Sequence, residues 1–261
     1  MSVVFFGTSK YCLPVLETLK RNFNLKLVVG MPDKPVGRKK ILTPCATKKW
    51  AIENEIDYID SGLRQNYNFD IGIVADYGRI IKPEEFNIPK LGVFNIHFSK
   101  LPEFRGASPV QFTLLRGDTI AWVTIIKIDK GLDTGPILWQ KSYPIKPNDT
   151  TESLYTRLFE LVANDLPSIN FAGPLTQQDH TKATFTRFLT REDGFVKYDE
   201  INNPENYNKF RAYFRWPGIW TLRQAQGKQK RVKILKCHLK NNQLVLDEVQ
   251  FEGEKPKPWK F

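Results

Sequence analysis

Histidine, cysteine and methionine are scarce: the 261 residues include three His, three Cys and two Met. Cys12, Cys45 and Cys237 are an odd, scattered set without Cys-x-x-Cys spacing. That speaks against a disulfide framework or a zinc site and suits a reducing cytosol. With so few histidines a metal cluster is not expected either. Long apolar runs are missing as well. No stretch approaches the roughly 20 residues of a membrane span. The opening MSVVFFGTSKYC runs straight into a strand-like pattern at Val3 without a basic-then-apolar leader. A cytoplasmic protein with no membrane partner is expected. Acidic residues are absent from one region in particular: residues 206–246 hold ten basic side chains and no acidic one.

Of the net charge of +11, residues 1–186 contribute +4 and residues 187–261 contribute +7. A one-signed field of that kind draws polyanions, and nucleic acid is the commonest of them. A solvated lysine-rich face accounts for it equally well. A hydrophobic fraction of 41% with 18 Phe suffices for a sizeable core, and the length exceeds one ordinary domain.

The first two-thirds of the chain alternate strand-like and helix-like patterns. Residues 3–6, 25–29, 70–74, 93–96 and 122–127 are apolar runs, which predicts parallel strands covered on both faces. Ser9 is a candidate N-cap for a helix with Leu13, Leu16 and Leu19 on one face. Thr43-Pro44 opens a second helix, with Ala46 and Trp50 one turn apart. Asp149 and Glu152 are spaced as a capping box before a helix carrying Leu154, Leu158 and Leu161. The expectation is an α/β fold with a Rossmann-like, mostly parallel sheet over residues 1–170. Residues 171–183 are polar with Gly and Pro and read as a linker. The short β-rich runs in residues 184–261 predict a small, basic, β-barrel-like domain.

The densest chemistry lies in FNIHFSKLPEFRGASP, residues 94–109. Strand alternation puts Asn95 and His97 on one face at the carboxyl end of a predicted parallel strand, where open α/β sheets bind ligands. An amide beside an imidazole suits acyl transfer. The amide donates N–H to an oxyanion, and the imidazole donates or relays a proton. In Gly131-Leu132-Asp133-Thr134-Gly135 two glycines bracket one carboxylate on a tight loop, which can aim Asp133 at an imidazole or a water. Each pattern alone is more often a satisfied polar pair or a plain turn. The stretch DKPVGRKK places Lys34, Arg38, Lys39 and Lys40 in a loop after the second strand, at the same end of the sheet as Asn95 and His97. Solvated surface is the ordinary reading of such a loop. A polyanionic substrate approaching that end would also meet it.

N-x-H, S-x-L-P-x-x-x-G and G-L-D-T-G follow in that order, the last beginning 36 residues after Asn95. Together they resemble the folate-dependent formyltransferase family. PDKPVGRKKILTP, VADYGRIIKPE, RWPGIWT and DEVQFEGEKPKPW extend the resemblance from the first strand to the last residues. Within the family these are most similar to the branch that acts on charged initiator tRNA, whereas the Asn95, His97 and Asp133 pattern is common to all branches.

The resemblance implies 10-formyltetrahydrofolate as donor and initiator methionyl-tRNA as acceptor, with no metal. It places the folate against Ser99, Lys100, Leu101 and Pro102 and against Ala75, Asp76, Tyr77 and Gly78. The methionyl α-amino group would attack the formyl carbon while Asn95 and His97 stabilise the oxyanion. Asp133 would hold His97 or a water and help a proton from the amine to N10. Of the basic loop, Arg38 is the residue implied nearest the amino-acid end of the tRNA. A monomer with a shortened OB-type C-terminal barrel is expected. Phe98 and Lys100 depart from the family pattern, which has a small residue and a leucine there.

Three rivals differ in what they would require. A sugar-nucleotide N-formyltransferase shares the trio and the folate but needs neither the basic loop nor the acid-free region. A glycinamide ribonucleotide formyltransferase would present a Gly-rich phosphate turn, of which Gly7-Thr8-Ser9-Lys10 is a poor version. A non-catalytic RNA-binding protein on a degenerate enzyme fold would have no use for the trio.

Overall fold

The computed structural model describes residues 1–37, 39–64, 66–225 and 228–259. In chain order the strands are β1 (Ser2–Phe6), β2 (Asn24–Val29), β3 (Lys34–Val36), β4 (Ile41–Thr43), β5 (Asp57–Ile59), β6 (Ile71–Val74), β7 (Val93–His97), β8 (Ile120–Lys127) and β9 (Ile137–Pro144). β10 (Ile219–Ala225), β11 (Lys228–Lys240), β12 (Gln243–Phe251) and β13 (Lys257–Pro258) follow. The α-helices are α1 (Leu13–Asn22), α2 (Ala46–Glu53), α3 (Pro83–Phe86), α4 (Pro109–Arg116), α5 (Thr151–Asp165) and α6 (Glu205–Ala212). Among the described residues no helix is long and apolar enough to cross a membrane.

Seven strands form one sheet in the order β5-β2-β1-β6-β7-β8-β9. The pairings of β1 with β2 and β6, of β2 with β5 and of β6 with β7 are parallel. Val3, Val4, Phe5 and Phe6 are all fully buried, so β1 is covered on both faces as its apolar run requires. The same argument predicted a parallel strand at residues 122–127, and there the structure differs: β8 runs antiparallel to β7. A two-sided apolar run reports burial and says nothing of direction. Direction is set by the connection, and the helix in that connection, α4, packs on α6.

Strand order reverses at β1, which makes the gap between β1 and β6 a topological switch point, the usual ligand crevice of such sheets. Thr8, just beyond β1, donates its N–H (3.1 Å) and hydroxyl (2.9 Å) to the Asp76 carbonyl just beyond β6.

Helix starts follow the sequence with small shifts. Ser9 caps a 3-10 turn at Lys10–Cys12 by accepting from the Tyr11 N–H at 3.2 Å, and α1 follows with Leu16 and Leu19 buried. α2 begins at Ala46, two residues after Pro44. The cap of α5 is Thr150 with Ser153, each accepting from the other's N–H (3.3 and 3.0 Å), one residue beyond the predicted Asp149 and Glu152. Asp149 instead closes the preceding turn, accepting from the Lys146 N–H at 2.7 Å.

The chain packs as two compact units, each discontinuous in sequence. One is Met1–Gly106, Trp122–Tyr143 and Tyr155–Phe185; the other is Ala107–Ala121, Pro144–Leu154 and Thr186–Phe261. In the second, Thr151 donates to the Ala212 carbonyl at 2.6 Å and buried Arg211 to the Pro147 carbonyl at 2.9 Å. Its sheet is an antiparallel meander, β10-β11-β12-β13. Ile219, Thr221, Val232, Ile234, Leu246 and Val249 are buried along one side of it. The expected barrel-like domain thus takes the form of a sheet with β10 and β13 at its edges.

Candidate active site

At the carboxyl end of β7 the side chains of Asn95, His97 and Asp133 meet. Asn95 Nδ2 lies 3.4 Å from Asp133 Oδ1, a long hydrogen bond. His97 Nδ1 lies 3.7 Å from Asp133 Oδ2, a gap that a small closure or a water bridges. His97 Nε2 is 2.9 Å from the Phe104 carbonyl oxygen. A carbonyl only accepts, so Nε2 carries a hydrogen and Nδ1 is the nitrogen turned to the carboxylate. The His97 and Asp133 side chains are 6% and 11% exposed, so the interaction between them is screened little by solvent.

The carboxylate is aimed by its loop. Gly106 N–H donates to Asp133 Oδ2 at 2.8 Å. Asp133 has a left-handed backbone, φ 53°, which costs a non-glycine residue on the order of 1 kcal/mol. Gly135 is required by close approach: a Cβ there would stand 1.8 Å from the Lys127 carbonyl oxygen. Buried Gln178 spans the loop, donating to the carbonyls of Asp133 (2.9 Å) and Gly135 (2.7 Å). Its own oxygen accepts from Arg105 Nη2 (2.7 Å) and Nε (3.2 Å), and Arg105 Nη2 is also 2.9 Å from His180 Nδ1.

Gln178 and His180 come from the stretch read as a linker. That stretch is stitched down: Ile137 and Thr176 exchange two backbone hydrogen bonds of 2.8 Å. Thr184 accepts from the N–H groups of Phe104 and Arg105, both at 2.9 Å. Sequence reasoning missed Arg105 and Gln178. A polar segment without periodicity carries no sign of which amide is buried, and the only available signal was its position after a completed sheet.

The two segments expected to hold the folate leave neighbouring strands, with Val74 opposite Asn95. Ala75, Tyr77, Ser99 and Leu101 are buried, whereas Gly78 and Lys100 are exposed and Asp76 and Pro102 half-buried. Ser99 Oγ donates to the Glu103 carbonyl at 2.6 Å, and Lys100 Nζ lies 4.8 Å from the centre of the Trp122 ring. Phe98 packs edge-on against Tyr155 and Phe159, at 5.0 and 4.6 Å between ring centres. It therefore fills the core under α5. Burial, and then the Asp76 carboxylate, hold the Tyr155 phenol well above its ordinary range, so it stays neutral. Burial likewise pushes the Cys12 thiol up, which leaves it unreactive.

The basic stretch is a β-hairpin where a flexible loop was expected. Lys34 pairs with Thr43, Pro35 with Leu42 and Val36 with Ile41. Lys34, Lys39 and Lys40 are exposed and make no ion pair among the described residues. Arg38 lies outside the described residues. Val36, Ile41 and Leu42 are 56%, 62% and 67% exposed, an apolar face on a charged hairpin.

In the second unit the acid-free region is not acid-free in space. Antiparallel pairing brings Glu248 to 2.6 Å from Lys236, Arg215 lies 3.0 Å from Glu152, and Glu254 approaches Lys230 at 3.8 Å. Arg231 stacks 4.7 Å from the Trp220 ring. It lines, with Lys233, Gln250, Phe251, Glu252 and Gly253, an open pocket of about 220 Å³.

Residues 1–169 match the family model described as formyl transferase. That match makes the chain a formyl transferase. The methionyl-tRNA formyltransferase of Caldicellulosiruptor saccharolyticus is 38% identical over 91% of this chain and 79% of its own length. On that likeness the chain belongs to the methionyl-tRNA formyltransferase family. Among solved structures, the methionyl-tRNA formyltransferase from Clostridium thermocellum is similar with a TM-score of 0.67 at 18% identity, covering 96% of this chain and 98% of that one. An N-formyltransferase from Helicobacter canadensis, in complex with folinic acid and dTDP-3-aminofucose, gives 0.68 at 23% identity over 92% and 88%. At those identities the two structures speak to the fold alone.

Proposed function

We propose that Asn95, His97 and Asp133 carry out transfer of the formyl group of 10-formyltetrahydrofolate to the α-amino group of initiator methionyl-tRNA. The amine attacks the formyl carbon, a C–N bond forms, and the carbonyl π pair moves onto oxygen. One N–H of the Asn95 amide is directed at Asp133, which leaves the other for that oxyanion. His97, fixed through Nε2, offers Nδ1 as a site that accepts or returns a proton beside the carboxylate. Collapse breaks the bond from carbon to N10. The proton lost by the amine passes through Asp133, directly or by a water, to N10, and the products are the formamide and tetrahydrofolate. No covalent enzyme intermediate is needed.

The donor lies against residues 75–78 and 99–102, where Ala75, Tyr77, Ser99 and Leu101 turn inward and backbone groups beside them can pair with a pterin. Lys34, Lys39 and Lys40, with Arg38, meet the phosphates of the acceptor end, and Arg231 and Lys233 offer a further phosphate contact. Such contacts position a nucleic acid without reading its sequence. The cytoplasm, where translation runs, goes with that substrate.

The reading is carried by one observation: an amide, an imidazole and a carboxylate converge at a strand end next to the switch point, in a chain whose relatives bear this activity. The test incubates the protein with 10-formyltetrahydrofolate and charged initiator methionyl-tRNA, with a dTDP-amino-sugar in parallel. Formylmethionyl-tRNA is the expected product. Formylation of the sugar with none of the tRNA would overturn the acceptor assignment, and no product from either would overturn the catalytic one.

A further inference from the structure

We infer that Gln178 is a positioning residue for the carboxylate of Asp133, an inference that rests on the catalytic reading of Asp133. Its carboxamide joins two carbonyls of the Asp133 loop, those of Asp133 and Gly135. Its orientation is dictated by chemistry. The Arg105 guanidinium only donates, so it claims the amide oxygen through Nη2 and Nε. The NH₂ group is then forced toward the loop, where both of its hydrogens find carbonyl acceptors. Gln178 and Arg105 are 5% and 3% exposed, so neither bond can be exchanged cheaply for water.

What this brace opposes is specific. Asp133 holds a left-handed backbone that a non-glycine residue leaves unless its surroundings over-determine it. One carbonyl belongs to the peptide that leaves the Asp133 Cα, and the other lies two residues further along the loop. Fixing them sets where Oδ1 and Oδ2 fall between Asn95, His97 and the Gly106 N–H. Released, the loop has an easier conformation that turns the carboxylate from that trio. Displacement of a reacting group by about 1 Å costs on the order of 100-fold in rate. Among the hydrogen bonds of the described residues Gln178 reaches the trio through the Asp133 loop, so the loss made by its replacement overlaps the loss made at Asp133.

Gln178→Glu keeps the partner of Arg105 but sets an anionic oxygen against two carbonyls. Gln178→Met removes the bridge without adding charge. Single-turnover formyl transfer from 10-formyltetrahydrofolate to methionyl-tRNA is measured for both, alone and combined with Asp133→Asn, beside thermal melts. Each Gln178 variant should lower kcat by about 100-fold, leave KM for both substrates little changed, and add almost nothing to the loss already made by Asp133→Asn. A full second loss in the Asp133→Asn background, a rise in KM alone, or failure of both variants to fold would overturn the inference. Gln178 variants of wild-type rate beside an impaired Asp133→Asn would sink this inference alone. Wild-type rate in Asp133→Asn would sink the catalytic reading and this inference with it.

Discussion

At the carboxyl end of β7 a half-buried amide and carboxylate meet a buried imidazole, and backbone groups hold two of the three: the Phe104 carbonyl holds His97 and the Gly106 N–H holds Asp133. On the β3–β4 hairpin the lysines stand in solvent, without an ion pair among the described residues. Both regions carry charge, but one spends structure to fix where the charge is, while the other leaves it free to move. A reacting carbon demands position within fractions of an ångström, so geometry must be built in before the substrate arrives. A phosphate backbone demands only sign and proximity, because the favourable term comes from released counterions. The difference teaches where each region is vulnerable: the first to small displacements, the second to loss of charge alone.

The contrast is sharpest in the centre. Asn95→Ala or Asp133→Asn should reduce turnover by about 100-fold or more with little change in thermal midpoint, measured by single-turnover kinetics and melting. Near-wild-type turnover in either would dissolve the distinction. Gly135→Ala tests the built geometry from outside the trio. Its Cβ would meet the Lys127 carbonyl at 1.8 Å, so the loop must move. A stability loss of about 1–3 kcal/mol in denaturant, with a fall in turnover, is expected.

On the hairpin, Lys39→Ala and Lys40→Ala should each shallow the log–log salt dependence of tRNA binding by about one unit, raise KM for tRNA and leave folate binding alone. Slopes identical to wild type would make the hairpin an ordinary solvated surface. The smallest effect concerns an ion pair of the second unit that lies between the two extremes. Arg187 and then the Thr190 N–H hold the Asp193 carboxyl well below its usual range. A depressed carboxylate stabilises the fold fully above the ordinary carboxylate range, and that contribution is lost as pH falls from there through its own lower value. Asp193→Asn should therefore lower the melting temperature slightly at neutral pH and flatten its decline in acid.

The convergence of Asn95, His97 and Asp133 was legible in the family resemblance of the ordered motifs, and two local rules were consistent with it. Strand alternation put Asn95 and His97 on one face, and paired glycines announced a tight turn around the carboxylate. The order of apolar runs likewise declared a two-sided sheet. What was hidden depended on partners remote in sequence. The direction of β8 follows from α4 packing on α6. The pairing of Lys236 with Glu248 follows from the register of β11 and β12, which no charge count reveals. Gln178 was hidden most deeply, since it belongs to no helix or strand and its importance lies in two carbonyls more than forty residues away. The hairpin was missed because strands of three residues, KPV and ILT, are too short for any alternation to register.

The second unit gathers segments that leave the ribosome at very different times. Helix α4 ends at Arg116, and the helix it packs on, α6, begins at Glu205. At about 5–20 residues per second of synthesis, α4 waits several seconds or more before its partner exists. During that interval α4, whose Val110 and Leu114 are buried in the finished protein, lacks the helix it packs on. A nascent chain stalled before residue 205 should therefore be more open to proteolysis and to capture by chaperones near α4 than one stalled after Ala212.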